Sequence, residues 1–449
     1  MEPTRSAAAT ETARSASEIV ELVSSRQASV EELTAEHLAF IHADDARVHA
    51  WVHLDDDTAL AGARAVDAKL ATREARALAG VPIGVKDIFN TADMPTQMGS
   101  PIWEGFTPGN DARVVHYARE ADAVILGKTV TAEFAVHFLP KGTTVNPHDP
   151  ERSPGTSSSG SAAAVASGHV PLSLGTQTAG SIVRPASYCG VVGFKPSFGL
   201  LPRTGMLKTT DTLDTVGCFA RSVADVKLLF ETIRVRGRDF PILESSMLDG
   251  TYSPGEPVTI AYLDSGLPVF DGYQQQTLEA FSARLEELAK VPGVTLKRLE
   301  PGHDLAEVHD LHATIYDKTL AYYFAEEFEQ HTLISGLMYE IVERGRAIST
   351  DTYLAAVERQ AQIRTRFAEQ MAGTDLLITP STAGPAPLLE APEPPDTCLI
   401  WTFLGLPALS LPVFTSSEGL PMGLQAVGSR YGDLRLLALS EALLEPAAL

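Results

Sequence analysis

Short apolar runs rich in β-branched residues recur along this chain, each too short for a buried helix and too apolar for a strand with one wet face. VPIGVKDIF begins at Val81, AVILGKT at Ala123, VPLSLGTQT at Val170 and VVGFKP at Val191. Such runs are strands covered on both sides. Helical stretches lie between them, and strands alternating with helices predict an α/β fold on a mixed or largely parallel sheet. DLLITP from Asp375 and LGLPALSLPVF from Leu404 return to the same style. The segment between reads differently: a strand, VTIAYL from Val258, an amphipathic helix over 273–290, and a long helical region to about Met371 that carries many Tyr and Phe residues. The expectation is one domain over 1–449. It has N-terminal helices over 15–75, a core over 76–231, an inserted cap or substrate-side segment over 232–372, and a return to the core sheet over 373–449.

Two capping boxes mark the first helices. Ser15 with Glu18 precedes Ile19, Leu22 and Val23; Ser29 with Glu32 precedes Leu33, Leu38 and Ile41. A third helix is expected over 56–71, and residues 1–14 are expected to fray. The net charge of −22 disfavours attraction to nucleic acid or to an anionic membrane surface. No stretch approaches the roughly 20 apolar residues that span a bilayer, and the first residues lack the apolar core of a secretion signal. Cys189, Cys218 and Cys398 form no CxxC pair and read as reduced buried thiols. A cytoplasmic protein, monomer or homodimer, is expected.

Three places carry candidate chemistry. SPGTSSSGSAAAVASG, from Ser153, is a Gly/Ser loop running into an Ala-rich helix. It reads first as a flexible linker or a helix N-cap and second as an anion cradle; no Gly-Lys-Ser/Thr follows, which argues against a P-loop. LGTQTAGSIVRPAS, from Leu174, ends a strand in the small residues Thr178, Ala179 and Gly180 just before Ser181. Small residues let backbone N–H groups approach a ligand closely, as an oxyanion hole requires, though a tight strand-to-helix turn needs them too. Lys86 sits inside an apolar strand. It either snorkels, pairs with Asp87, or is a desolvated lysine of lowered pKa able to act as a base. No GxSxG elbow, HExxH or GxGxxG is present, and His309 and His312 read as solvated positions on a charged helix.

The conjunction of Lys86 in Gly-Val-Lys-Asp, the Gly/Ser loop at Ser157 and the second serine at Ser181 resembles the amidase signature family. DLLITPSTAGPAP, LGLPALSLPV and GLPMGLQAVG extend the resemblance over nearly the whole chain, with 232–372 the least similar part. The resemblance implies an α/β/α sandwich on a twisted mixed sheet. It makes Ser181 the nucleophile, Ser157 a bridging serine on a cis peptide bond, and Lys86 the base. The backbone amides of Thr178, Ala179, Gly180 and Ser181 would form the oxyanion hole, and Ser158, Gln177 and Arg184 would face substrate. Neither metal nor organic cofactor is implied.

The chain departs from the common family pattern. Gln177 replaces an aspartate, and the arginine, Arg184, stands one position later, which is closer to a malonamidase-like branch of small amidases where it would bind a substrate carboxylate. A structural ion pair is its other reading. The activity implied is hydrolysis of an amide-type C–N bond through an acyl-enzyme. The aromatic content of 316–367 with Trp401 and Phe403 points to a roomy apolar pocket for an aryl amide, anilide or carbamate (urethane), with esterase side activity; Arg184 points instead to a small dicarboxylate monoamide. The rival reading is the ammonia-generating member of a tRNA-dependent amidotransferase complex, and the remaining one is a silent binding protein.

Overall fold

The computed structural model describes residues 14–136, 143–235 and 250–444. Most of the stretch expected to fray, 1–14, lies outside them. Both capping boxes form. Ser15 Oγ accepts the Glu18 N–H at 3.1 Å while the Glu18 carboxylate accepts the Ser15 N–H at 2.6 Å. Ser29 and Glu32 repeat the exchange at 3.1 and 2.9 Å. They start the helices Ala16–Ser24 and Val30–Val48, which pack Ile19, Val23, Leu33, Leu38 and Ile41 into the main core. The third helix spans Asp56–Leu70.

Eleven strands make one sheet: β1 (Trp51–Leu54), β2 (Pro82–Lys86), β3 (Val124–Thr129), β4 (Leu172–Gln177), β5 (Val192–Lys195), β6 (Thr215–Ala220), β7 (Val258–Tyr262), β8 (Val294–Arg298), β9 (Leu376–Pro380), β10 (Ala408–Thr415) and β11 (Pro421–Val427). Their order across the sheet is β1-β3-β2-β4-β6-β5-β10-β11-β9-β7-β8. The apolar runs read from the sequence are interior strands, to which the structure adds β6 and β11, and β2, β3, β4, β5 and β6 are buried at every residue. Strand β2 runs parallel to both β3 and β4, whereas β6, β5, β10 and β11 pair antiparallel in turn. The sheet is therefore mixed, with helices covering it, which is the fold class the sequence predicts.

The helix Ser159–Ala166 is buried on every side, Ser159 to Val165 alike, which its small residues, Ala162, Ala163 and Ala164 among them, make possible. Two hydroxyls bind it to β4: Ser161 Oγ donates to Leu174 O at 2.8 Å, and Ser173 Oγ donates to Ser161 O at 2.8 Å. Gly160 is required there, since a Cβ at that position would stand 2.3 Å from Ala50 O and 2.4 Å from Val130 N.

The segment 232–372 is not wholly an inserted cap. Its strands β7 and β8 join the core sheet beyond β9, parallel to it and to each other. The pairing of Ile260, Ala261 and Tyr262 with β9 buries apolar residues that a separate cap would have to cover by itself. Among the described residues of the segment, the helices between Gly302 and Gln370 form an added layer: Gly302–Ala306, Val308–Tyr323, Ala325–Phe328, Gly336–Ala347 and Thr350–Gln370. One part rests on Met98, Phe134 and Val136 through Leu320, Phe324 and Met338. Another places Phe367 against Trp401, with ring centroids 5.9 Å apart. Trp401 and Phe403 are completely buried in that second cluster. They are packing residues and do not line an open pocket, contrary to the sequence expectation.

Gly160→Ala should lower unfolding stability by ~1–3 kcal/mol, because backbone on two sides cannot yield. Gly62→Ala, in a helix with nothing within 4 Å of the new methyl, should instead raise it by up to ~1 kcal/mol. Urea unfolding of the two variants beside the parent chain checks both signs.

Candidate active site

Because β2 and β4 are parallel neighbours, their carboxyl ends open at the same edge of the sheet. This is where α/β sheets place their ligands. Lys86 is the last residue of β2, and the 178–181 loop leaves the end of β4. The Gly/Ser loop ahead of the Ser159–Ala166 helix closes the same edge, as Ser157 O accepts the Ala132 N–H at 3.1 Å. The Thr156–Ser157 peptide bond is cis.

Lys86 has no exposed surface. Its Nζ lies 2.8 Å from Ser157 Oγ, 3.0 Å from Ser158 Oγ and 3.0 Å from Thr176 Oγ1. All three partners are neutral hydroxyls. Burial drives the lysine well below its ordinary pKa, and Asp214 opposes that only in part. Asp87, the sequence neighbour, is engaged elsewhere: it pairs with Lys128 at 3.2 Å, and burial pushes its carboxyl up to about 6 despite that lysine. A neutral amine offers two protons and one lone pair. Ser158 Oγ spends its own proton on Thr176 O at 3.1 Å, so toward Lys86 it can only accept. The lone pair is thereby left to face Ser157 or Thr176. Ser158 is fully buried in this arrangement, and its hydroxyl faces Lys86 and β4, not substrate as the family resemblance implies.

Ser181 begins the turn into the helix Val183–Cys189 and is 5% exposed. Among the described residues its hydroxyl makes no hydrogen bond, and the N–H groups of Thr178, Ala179, Gly180 and Ser181 donate none. Gln177 accounts for the two that follow. Its Oε1 accepts the Ile182 N–H at 2.8 Å and the Val183 N–H at 3.0 Å, while Nε2 donates to Thr402 Oγ1 at 2.9 Å. Gln177 is fully buried and its amide is used in holding this turn. A carboxylate there could accept the two N–H groups but could not donate to Thr402, which gives the glutamine a physical reason.

Arg184 sits between two carboxylates: Nε lies 2.7 Å from Asp396 and Nη1 lies 3.1 Å from Glu393. Burial works against its charge, but Asp396 and Glu393 outweigh that and hold the guanidinium above its ordinary pKa. Glu393 also accepts from Ser153 Oγ at 3.0 Å, Thr156 N at 2.9 Å and Thr156 Oγ1 at 2.8 Å. One carboxylate thus ties the loop of Ser157 to the helix behind Ser181. Of the two sequence readings of Arg184, this geometry is that of the ion pair.

Sequence reasoning missed Thr176, Thr402, Glu393 and Asp396, and it misplaced His312. That ring is buried, with Nε2 2.9 Å from Thr178 O. Its helical phase carries the signal, since Val308, His312, Ile315 and Thr319 fall on one buried stripe. Thr402 is a lone hydroxyl in the apolar CLIWTFL helix, which is the pattern of a buried polar group with a fixed partner. Among the described residues no group of three or more His, Cys, Asp or Glu side chains is placed to hold a metal, and no helix is long and apolar enough to cross a membrane.

Known proteins share this arrangement of chain and sheet. The Amidase family model matches residues 32–437. A glutamyl-tRNA(Gln) amidotransferase subunit of Acidothermus cellulolyticus is 34% identical, over 96% of this chain and 94% of its own length. A crystal structure of an amidase superposes with a TM-score of 0.83 at 30% identity, covering 95% of this chain and 98% of that one. Peptide amidase from Stenotrophomonas maltophilia does so with a TM-score of 0.81 at 27% identity, covering 96% and 97%.

Two outcomes follow from the buried charges. A lysine with a depressed folded pKa binds fewer protons folded than unfolded. The native state therefore loses up to ~1.4 kcal/mol per pH unit as pH falls from about 10.4 toward the folded value, and the penalty is constant below it. Lys86→Met should lack that slope. Thermal midpoints of both proteins across the alkaline range should diverge as pH falls; parallel curves would contradict a depressed lysine. Arg184→Ala leaves Asp396 and Glu393 without their cation and should cost ~3–5 kcal/mol, read by chemical denaturation. An arginine serving only substrate would leave stability unchanged.

Proposed function

The chain belongs to the amidase signature family, whose members cleave C–N bonds, and on that premise we propose that it hydrolyses an uncharged amide or carbamate through an acyl-enzyme on Ser181. Neutral Lys86 takes the proton of Ser157, which takes that of Ser181 as Ser181 Oγ attacks the acyl carbon. The N–H groups of residues 178–181 receive the oxyanion. The relay returns the proton to the leaving nitrogen, and water then releases the acid by the same path. The observation that carries this reading is the fully buried Lys86 amine, 2.8 Å from Ser157 Oγ and, among the described residues, without a carboxylate partner. A base at neutral pH needs that environment.

The substrate class follows from Arg184. One guanidinium already engaged by two carboxylates, at 2.7 and 3.1 Å, is not left to bind an anionic acyl group. This weighs against a dicarboxylate monoamide. With Trp401 and Phe403 inside the core, the support for a specifically aromatic substrate also falls away. What remains is an uncharged amide, with carbamates and esters of similar shape as side substrates.

A second reading has an observation of its own. The relative from the glutamyl-tRNA(Gln) amidotransferase matches nearly end to end, and it supports a chain that releases ammonia from an amide within a protein complex that serves tRNA. Gln177 and the displaced Arg184 weigh the other way. Both readings share the relay and differ in partners. Size-exclusion chromatography of the pure chain with a panel of simple amides separates them: turnover by the isolated chain supports the free-standing hydrolase, and amide cleavage that appears only with partner proteins supports the other.

Ser181→Ala should fold normally and lose at least about 10³ in kcat. Lys86→Ala should be nearly as damaging, and the double variant little worse than either, because the side chains act as one relay. Additive losses would place Lys86 outside it. Since every step uses a side chain or a backbone amide, EDTA should leave turnover unchanged. The kcat/KM profile should rise through a single ionisation and level off on the alkaline side.

A further inference from the structure

We propose that His312, on the helix Val308–Tyr323 in the second half of the chain, is a positioning residue for the oxyanion amides. The proposal deepens, and rests on, the reading of 178–181 as the oxyanion hole. His312 Nε2 lies 2.9 Å from Thr178 O. A carbonyl oxygen can only accept, so Nε2 carries the proton. The ring is 4% exposed and stacks on Tyr316, with centroids 5.6 Å apart and planes 22° from parallel, so its direction is fixed.

A trans peptide points its C=O and N–H to opposite sides. Holding Thr178 O therefore also holds the Ala179 N–H, which points to the opposite side of the same peptide from His312. The next two peptides are held in the same way. Ala179 O accepts from Thr402 Oγ1 at 2.8 Å, and Gly180 O accepts from Arg184 N at 2.9 Å. Three consecutive carbonyls are thus engaged, which fixes the orientation of the peptides that supply the N–H groups of Ala179, Gly180 and Ser181. Ala179 and Gly180 carry no side chain able to lock their own peptides, so the holds must come from outside the loop. Arg184 N is the next turn of the same chain and Thr402 belongs to the core helix Cys398–Leu404. Of the three, His312 alone comes from the added helical layer. Its hydrogen bond also polarises the 178–179 amide, which strengthens the Ala179 N–H as a donor.

The consequence is a split between binding and turnover. Losing the hold leaves the ground-state amide bound as before, and weakens only the contacts that tighten as negative charge develops on oxygen. His312→Phe keeps the ring and its stack but removes the donor; His312→Leu removes both; His312→Gln keeps a donor. On an amide the wild type hydrolyses, Phe and Leu should lower kcat by about 10- to 100-fold, less than the direct loss of an oxyanion donor. KM should stay within about threefold and thermal midpoints within a few degrees. Gln should recover at least about a third of the wild-type kcat. Affinity for a boronic acid that forms a tetrahedral adduct on Ser181 should fall in parallel with kcat, while affinity for an uncleaved substrate-like inhibitor should not.

A kcat within about twofold of wild type in the donorless variants, or a loss that Gln does not restore, overturns the role of His312. Where Leu does not fold, the Phe and Gln pair decides. Ser181→Ala, run alongside, keeps the two levels apart: if it remains active the hydrolase reading itself has failed, whereas an inactive Ser181→Ala with normal His312 variants removes only the positioning role.

Discussion

An ammonium ion cannot be carried into the middle of a sheet without losing several kcal/mol of hydration, and the arrangement at the end of β2 is a response to that cost. Lys86 and Lys128 stand on adjacent parallel strands, both fully buried, and they meet the cost differently. Lys128 takes a carboxylate, Asp87, together with Thr96 Oγ1 and the carbonyls of Phe89 and Pro95. Lys86, among the described residues, takes three hydroxyls and no carboxylate. Burial lowers both lysines; Asp87 offsets part of that for Lys128, whereas among the described residues the opposing charge at Lys86 is that of Asp214. One lysine is thus held as structure and the other is left able to exchange a proton.

The second dependence is on carboxylates brought from the far end of the chain. Glu393 and Asp396 lie more than two hundred residues beyond the Gly/Ser loop and the helix they bind. Glu393 accepts from the loop that carries Ser157 and from Arg184, so the positions of the two serines are set against each other through one side chain. Gly155 makes the close approach possible: at φ +87° its missing Cβ would sit 2.7 Å from Pro185 Cα. Asp214 does comparable work on the other side, accepting from Thr178 Oγ1 and from the N–H and hydroxyl groups of Thr209 and Thr210. Short polar loops that would be mobile alone become rigid because each is bound by a buried carboxylate with several donors.

Much of this is legible in the sequence. Both capping boxes, the helix over 56–70 and the buried strands follow from local rules, because capping and strand periodicity involve residues a few positions apart. The segment 232–372 is legible only in part: β7 reads as a strand of a separate unit until its pairing with β9 is seen, and β8, which pairs with β7, falls in a stretch read as helical. Composition points Trp401 and Phe403 to a pocket wall because it does not say which side of an aromatic ring is covered. Charged neighbours make His312 read as solvated and obscure its place on the buried stripe.

Lys86, Ser157 and Ser181 can be singled out from the sequence by residue type and local setting: a cation in an apolar strand, and serines among small residues at helix starts. Those are statements about near neighbours, and the chain itself enforces them. Which oxygen faces Lys86, whether Arg184 is free or paired, why Gln177 stands before the oxyanion loop, and what holds Thr178 O were decided only by tertiary structure. Each of these depends on a partner more than seventy residues away, or on how one buried hydroxyl spends its single proton. Hydrogen-bond donors and charges buried together must be satisfied jointly, and joint satisfaction is a property of the packed whole.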